Sequence, residues 1–209
     1  MKNFQLPLVI VLFLASSFAA NAQKTDLRDP QISALLNEVS ASNLEALVKK
    51  MVTFHTRHTL SDTLSKTKGV GAARNWIKSE FEKYAAESGG RLQVSFDTFT
   101  QPADGRRIKE PVVLKNVMAV LPGSDPTDKR MLMVSGHYDS RVTDVMNAKD
   151  FAPGANDDAS GVAAVMEMAR IMSKHQFSST LVFVAFVGEE QGLYGAANLA
   201  KRAKAEGWN

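Results

Sequence analysis

GVAAVMEMARIM, residues 161–172, decides the fold. Val162, Val165, Met166, Ala169 and Met172 recur at the spacing that sets them on one face of a helix. The runs on either side are of another kind. MLMV at 131–134 and LVFVAFV at 181–187 are apolar without alternation, as in strands covered on both faces. Strand, helix, strand in that order gives the α/β fold class. In open sheets of this class the chemistry gathers beyond the carboxyl ends of the strands.

Working outward, Asn116 to Leu121 reads as a further apolar strand closed by Pro122-Gly123. Leu92, Val94 and Phe96 alternate with polar residues, as in a half-buried strand. Ala73, Trp76, Ile77, Phe81 and Tyr84 share a helical face, and that helix is expected to end at Gly89-Gly90. Gln31 to about Phe54 reads as helical, with Ser42-Asn43-Leu44-Glu45 as a capping box. The polar stretch Arg57 to Gly69 between these helices reads as a loop. His55, His58 and His175 find no partners in the pattern and read as structural or surface residues, while Trp76 and the methionines of the 160s helix read as core.

Composition narrows the function. The chain has 209 residues, no cysteine and a formal net charge of +3. It shows no Lys/Arg block and no interleaved aromatic stripe, so nucleic acid is not an expected partner. The opening stretch MKNFQLPLVIVLFLASSFAANAQ has Lys2, an apolar run to Phe18 and the small-residue triplet Ala20-Asn21-Ala22. This is the pattern of an export signal, with cleavage expected after Ala22. The apolar run is shorter than the ~20 residues of a membrane span, so no stable membrane anchor is expected after cleavage. Residues 1–22 are thus read as a signal peptide and 23–209 as the functional domain, exported from a bacterial cell to the periplasm or beyond.

Three strand ends carry the chemistry. The first strand runs into Gly136-His137-Tyr138-Asp139, the loop before the helix holds Asn156-Asp157-Asp158, and the next strand runs into Gly188-Glu189-Glu190. If the strands are parallel neighbours, one imidazole and five carboxylates meet with little positive charge besides Arg141. Such a cluster repels itself unless protons or a cation intervene. Imidazole with carboxylate oxygens suits zinc. Asp139, two residues after His137, falls on the same side of a strand and is placed to take the other ring N–H. The paired glutamates divide naturally into a ligand and a general base.

GHYDSR (136–141), APGANDDASGVAA (152–164) and FVAFVGEEQGLYGA (183–196) resemble the secreted zinc aminopeptidases with two co-catalytic metals, of the bacterial leucyl aminopeptidase type. FHTRHTLSD (54–62) and NVMAVLPG (116–123) extend the likeness over nearly the whole mature chain. The resemblance implies a three-layer α/β/α zinc-exopeptidase fold with a central mixed, largely parallel sheet. It implies two zinc ions per complete site, with His137 and Glu190 as ligands of one ion each and Asp157 as the bridge. It also implies Glu189 as general base, Asp139 as the residue orienting His137, and a cis peptide between Asp157 and Asp158. The substrates implied are peptides with a free N-terminus.

Two further ligands of that family, an Asp and a His, lie later in its chains and have no counterpart before Asn209. Each zinc would then have two protein ligands where a catalytic zinc normally has three. The sequence is therefore expected to be the N-terminal part of a longer enzyme, incomplete at its C-terminus and inactive alone. The alternatives are a non-catalytic binding fragment of the same fold, or a related zinc carboxypeptidase or glutaminyl cyclase.

Overall fold

The computed structural model describes residues 29–208; the predicted signal peptide lies outside the described residues. The first described element is α1 (Pro30–Asn37), capped by Asp29, whose carboxylate accepts from the backbone N–H groups of Gln31 and Ile32. It is followed by α2 (Ala41–Val52). The single helix expected over this stretch is thus two, broken at Glu38-Val39-Ser40. The cap is Ser40 rather than Ser42, and its hydroxyl accepts from Asn43 N–H at 3.1 Å. A distant group fixes the break: Glu167 accepts from Ser40 N–H at 2.8 Å. Local periodicity cannot register a contact with a residue so far along the chain.

Helix α3 (Gly69–Glu87) buries Ala73, Ile77, Phe81 and Tyr84, the face its spacing predicts. The strands are β1 (Gln93–Gln101), β2 (Val112–Leu121), β3 (Met131–His137) and β4 (Thr180–Phe186). The crossover helix α4 (Ser160–Met172) joins β3 to β4, and α5 (Glu189–Gly192) and α6 (Tyr194–Ala205) follow. The sheet order is β1-β2-β4-β3. It is mixed: β1/β2 and β2/β4 pair antiparallel, and β3/β4 pair parallel with His137 opposite Phe186.

Alternation along the central strands divides the core. Val117, Ala119, Leu121, Leu181, Phe183 and Ala185 belong to one cluster with α2, α3 and α4. Met118, Val182 and Val184 point to the opposite face, where Leu199 of α6 and Trp208 cover them. Helices thus flank both faces of the sheet. Strand β4 is buried through Leu181–Ala185, as its unbroken apolar run predicts. Strand β3, equally apolar, is different, because Leu132 and Met133 are exposed. It is the last strand of the described sheet, so its outer edge has no neighbour among the described residues.

Candidate metal-centred site

The parallel β3/β4 pair ends where the carboxylates gather. Tyr138 N–H donates to Phe186 O at 2.9 Å, extending the pairing one residue past His137. On the β4 side, Asn116 of β2 fixes the exit, its side-chain oxygen accepting from Val187 N–H at 3.1 Å. Gly188 then turns the chain through a left-handed conformation (φ 74°), open to glycine at no steric cost, and starts α5 with Glu189. The loop before α4 closes the third side. Its turn Ala155–Ala159 has π-type hydrogen bonding, with Asp157 and Asp158 outside helical dihedrals and a cis peptide between them.

The two adjacent aspartates do different work. Asp158 turns inward, and its carboxylate accepts from His137 N–H at 3.0 Å and from Gly161 N–H at 2.9 Å. It ties the end of β3 to the start of α4. Gly161 is needed for that approach, since a Cβ there would collide with the Asp158 carboxylate. Asp157 turns outward, with a side chain 76% exposed, and its Oδ1 lies 3.0 Å from His137 Nε2. The Glu189 carboxylate lies 3.8 Å from the same nitrogen. His137, Glu189 and Asp158 line a cavity of about 260 Å³ that continues over Phe186, Leu193 and Ala196.

Asp139 is fully buried, and its carboxylate binds the other elements together. It accepts from Thr59 Oγ1 at 2.8 Å, Glu190 N–H at 3.1 Å and Glu189 N–H at 3.3 Å. Its relation to His137 differs from the expected one. His137 Nδ1 lies 3.2 Å from the Asp139 carbonyl oxygen and 3.6 Å from its carboxylate. The backbone of Asp139 meets the ring, while the side chain holds the start of α5.

Glu190 is held by two arginines. Its carboxylate accepts from Arg141 Nε at 2.7 Å, and its carbonyl accepts from Arg107 Nη1 at 2.7 Å. Arg107 comes from the β1–β2 connection. Neither contact follows from spacing.

Behind these groups lies a buried polar layer within the stretch read as a loop. The chain runs through it at Thr56–Thr59, all buried. Arg57 donates to the carbonyls of Tyr138 (2.8 Å), Met51 (3.2 Å), Pro153 (2.7 Å) and Gly154 (2.9 Å). Burial lowers its pKa to about 10, opposed by the charges of Asp139 and Asp158, and it remains a cation at neutral pH. His58 is wholly buried; its Nδ1 accepts from Leu60 N–H at 3.1 Å and its Nε2 lies 3.0 Å from Val145 O. Gln191, next after Glu190, donates to the same carbonyl at 2.8 Å. The FHTRHTLSD likeness covers these residues without giving them a role. By contrast His175 meets Glu38 at 2.9 Å.

The electrostatics match the crowding. Burial opposes charge on His137, but the Asp139 carboxylate, with Glu189 and Asp158, outweighs it and raises the pKa to about 9. Burial raises Glu189 above its ordinary value; His137 opposes the shift, and Asp139, Glu190 and Asp157 reinforce it. A cation suits the place where His137 Nε2 and Asp157 Oδ1 converge, since imidazole and carboxylate are zinc donors. That pair fits a metal ion. Glu190, as oriented, does not join it. Among the described residues no group of three or more His, Cys, Asp or Glu is arranged to hold one.

Known proteins agree with this architecture. Peptidase family M28 matches residues 116–209, from within β2 to the end of the sequence. A "Probable zinc metalloprotease" of the fungus Pyrenophora teres f. teres is 52% identical over 176 residues, covering 84% of this chain and 36% of that protein. The LapA aminopeptidase of Legionella pneumophila superposes with a TM-score of 0.64 at 22% identity, over 100% of this chain and 48% of that one. A glutaminyl cyclase from Fimbriiglobus ruber superposes with a TM-score of 0.59 at 24% identity, over 79% and 56%. The chain thus shares the α/β fold of these proteins, and its residues 116–209 match the M28 family. It spans 36–41% of the length of the curated relatives it matches.

Proposed function

We propose that this chain supplies the ligand-and-base half of an M28-type metallohydrolase site, and that residues 23–209 alone bind zinc without turning over substrate. The observation carrying the proposal is the convergence of His137 Nε2 on Asp157 Oδ1 at 3.0 Å, with the Glu189 carboxylate 3.8 Å from the same nitrogen. Two donors fall short of the three usual for a catalytic zinc, which favours a non-catalytic half-site over an active enzyme.

Within a complete site the same residues serve removal of N-terminal residues from peptides. Zinc, when bound, supplies Lewis-acid polarisation and acidifies water. His137 and Asp157 would hold the ion, and Glu190, once released from Arg141, would be a ligand of a second zinc. Glu189, raised above the ordinary carboxylate range by burial, is suited to take a proton and return it to a leaving amine. Asp139 holds the amides of Glu189 and Glu190 and so sets the base against the cleft. The export-signal pattern, with cleavage after Ala22, supports a location outside the cytoplasm. The substrates are peptides with a free N-terminus.

A chromogenic aminoacyl amide and a peptide with N-terminal Gln, each offered with and without zinc, test the reading. The expected result is zinc binding with no turnover of either. Hydrolysis of the amide would replace the half-site reading with that of an active aminopeptidase. Cyclisation of the Gln peptide would select the cyclase alternative.

A further inference from the structure

Glu190 is held at three points. Its N–H donates to Asp139 Oδ2 at 3.1 Å, its carbonyl accepts from Arg107 Nη1 at 2.7 Å, and its carboxylate accepts from Arg141 Nε at 2.7 Å. The first two fix the backbone, so only the side chain is free to change partner. That side chain is 10% exposed, whereas Arg141 is 36% exposed. A carboxylate so nearly buried, beside Asp139, Asp157 and Glu189, needs a counter-charge. Arg141 supplies it and has little else to do, since its Nη1 contacts with the carbonyls of Val142 (3.5 Å) and Thr143 (3.4 Å) lie at the edge of hydrogen-bond range.

We infer that Arg141 is the resident counter-cation of the metal-free site, holding the Glu190 carboxylate in place and giving it up when a metal ion binds. The guanidinium and a divalent cation would satisfy the same carboxylate, so each weakens the hold of the other. Arg141 is then a positioning residue with a cost: it keeps a crowded acidic site folded without metal and lowers metal affinity. The inference rests on Glu190 being a ligand, as proposed above.

Zinc affinity, measured by competition with a chromophoric chelator, tests it in four chains: wild type, R141M, E190Q and the double variant. Partly exposed ion pairs are worth up to about 1 kcal/mol, so R141M should bind zinc about three- to fivefold tighter than wild type. In the E190Q background the same substitution should change nothing. R141Q repeats the test if R141M fails to fold, and R141K should stay near wild type. Unchanged or weaker zinc binding on neutralising Arg141, with wild-type binding intact, overturns this inference alone. Absence of any zinc binding that depends on His137 overturns both it and the half-site.

Discussion

The two sides of the strand-end cluster are built on opposite terms. On the cleft side, Asp157 is largely exposed, and it and Glu189 each meet His137 as charges rather than through a network. On the far side, Arg57, His58, Thr59, Asp139 and Ser140 are all buried and bonded. Ser140 Oγ alone accepts from Arg57 N–H and donates to Ala152 O. A buried polar group left unpaired costs far more than an exposed one. Stability should therefore reside in the hidden layer and metal affinity in the exposed one.

The sharpest way to break this contrast is Arg57. Removing it strands four carbonyl acceptors in a closed interior. R57A should lose more than about 3 kcal/mol in urea unfolding. A loss under 1 kcal/mol would mean that water replaces the guanidinium and that the layer is no scaffold. Asp139 comes next. D139A leaves Thr59 and two amides of α5 without an acceptor, and about 2–3 kcal/mol should go with it. On the cleft side, D157N should change stability by no more than about 0.5 kcal/mol, as exposed substitutions usually do. Its zinc affinity should nevertheless fall by more than about tenfold, measured by calorimetric titration. Equal stability losses in D139A and D157N would erase the contrast.

A further test is in pH. His137 is raised from 6.5 to about 9, so the folded state binds its proton more tightly than the unfolded chain. That contribution is fully present below pH 6.5 and is lost as pH rises to about 9. Metal-free protein should therefore weaken across this window in thermal melts, and H137Q should lose that slope. A flat wild-type profile would place the imidazole in a less acidic setting than the geometry gives it.

The same contrast explains what could be read from sequence. Local patterns reported local facts: the α3 face, the α4 crossover, the buried β4 and the three strand-end motifs all stand in short contiguous text. Asp157 and Asp158 were visible as a pair, but their division into one outward and one inward carboxylate was not, since it depends on His137 N–H and Gly161 N–H. The helix break at Ser40 rests on Glu167, and the hold on Glu190 rests on Arg107 and Arg141. The stretch from Arg57 reads as a loop and is one, but its polarity gives no sign that Arg57, His58 and Thr59 are buried. They are buried because their polar groups find partners in the 138–154 region, which no window of sequence contains. Strand β3 failed in the other direction: its apolar run predicts cover on both faces, yet Leu132 and Met133 lie exposed at the edge of the described sheet.

The most direct measurement is a zinc titration of the protein labelled with nitrogen-15 in its four histidines, followed at the ring nitrogens. One imidazole should lose its Nε2 proton and shift on binding, H137Q should remove this signal, and His55, His58 and His175 should stay unchanged. A shift at any of those three with His137 silent would contradict the half-site reading, and the site would have to be sought elsewhere in the fold.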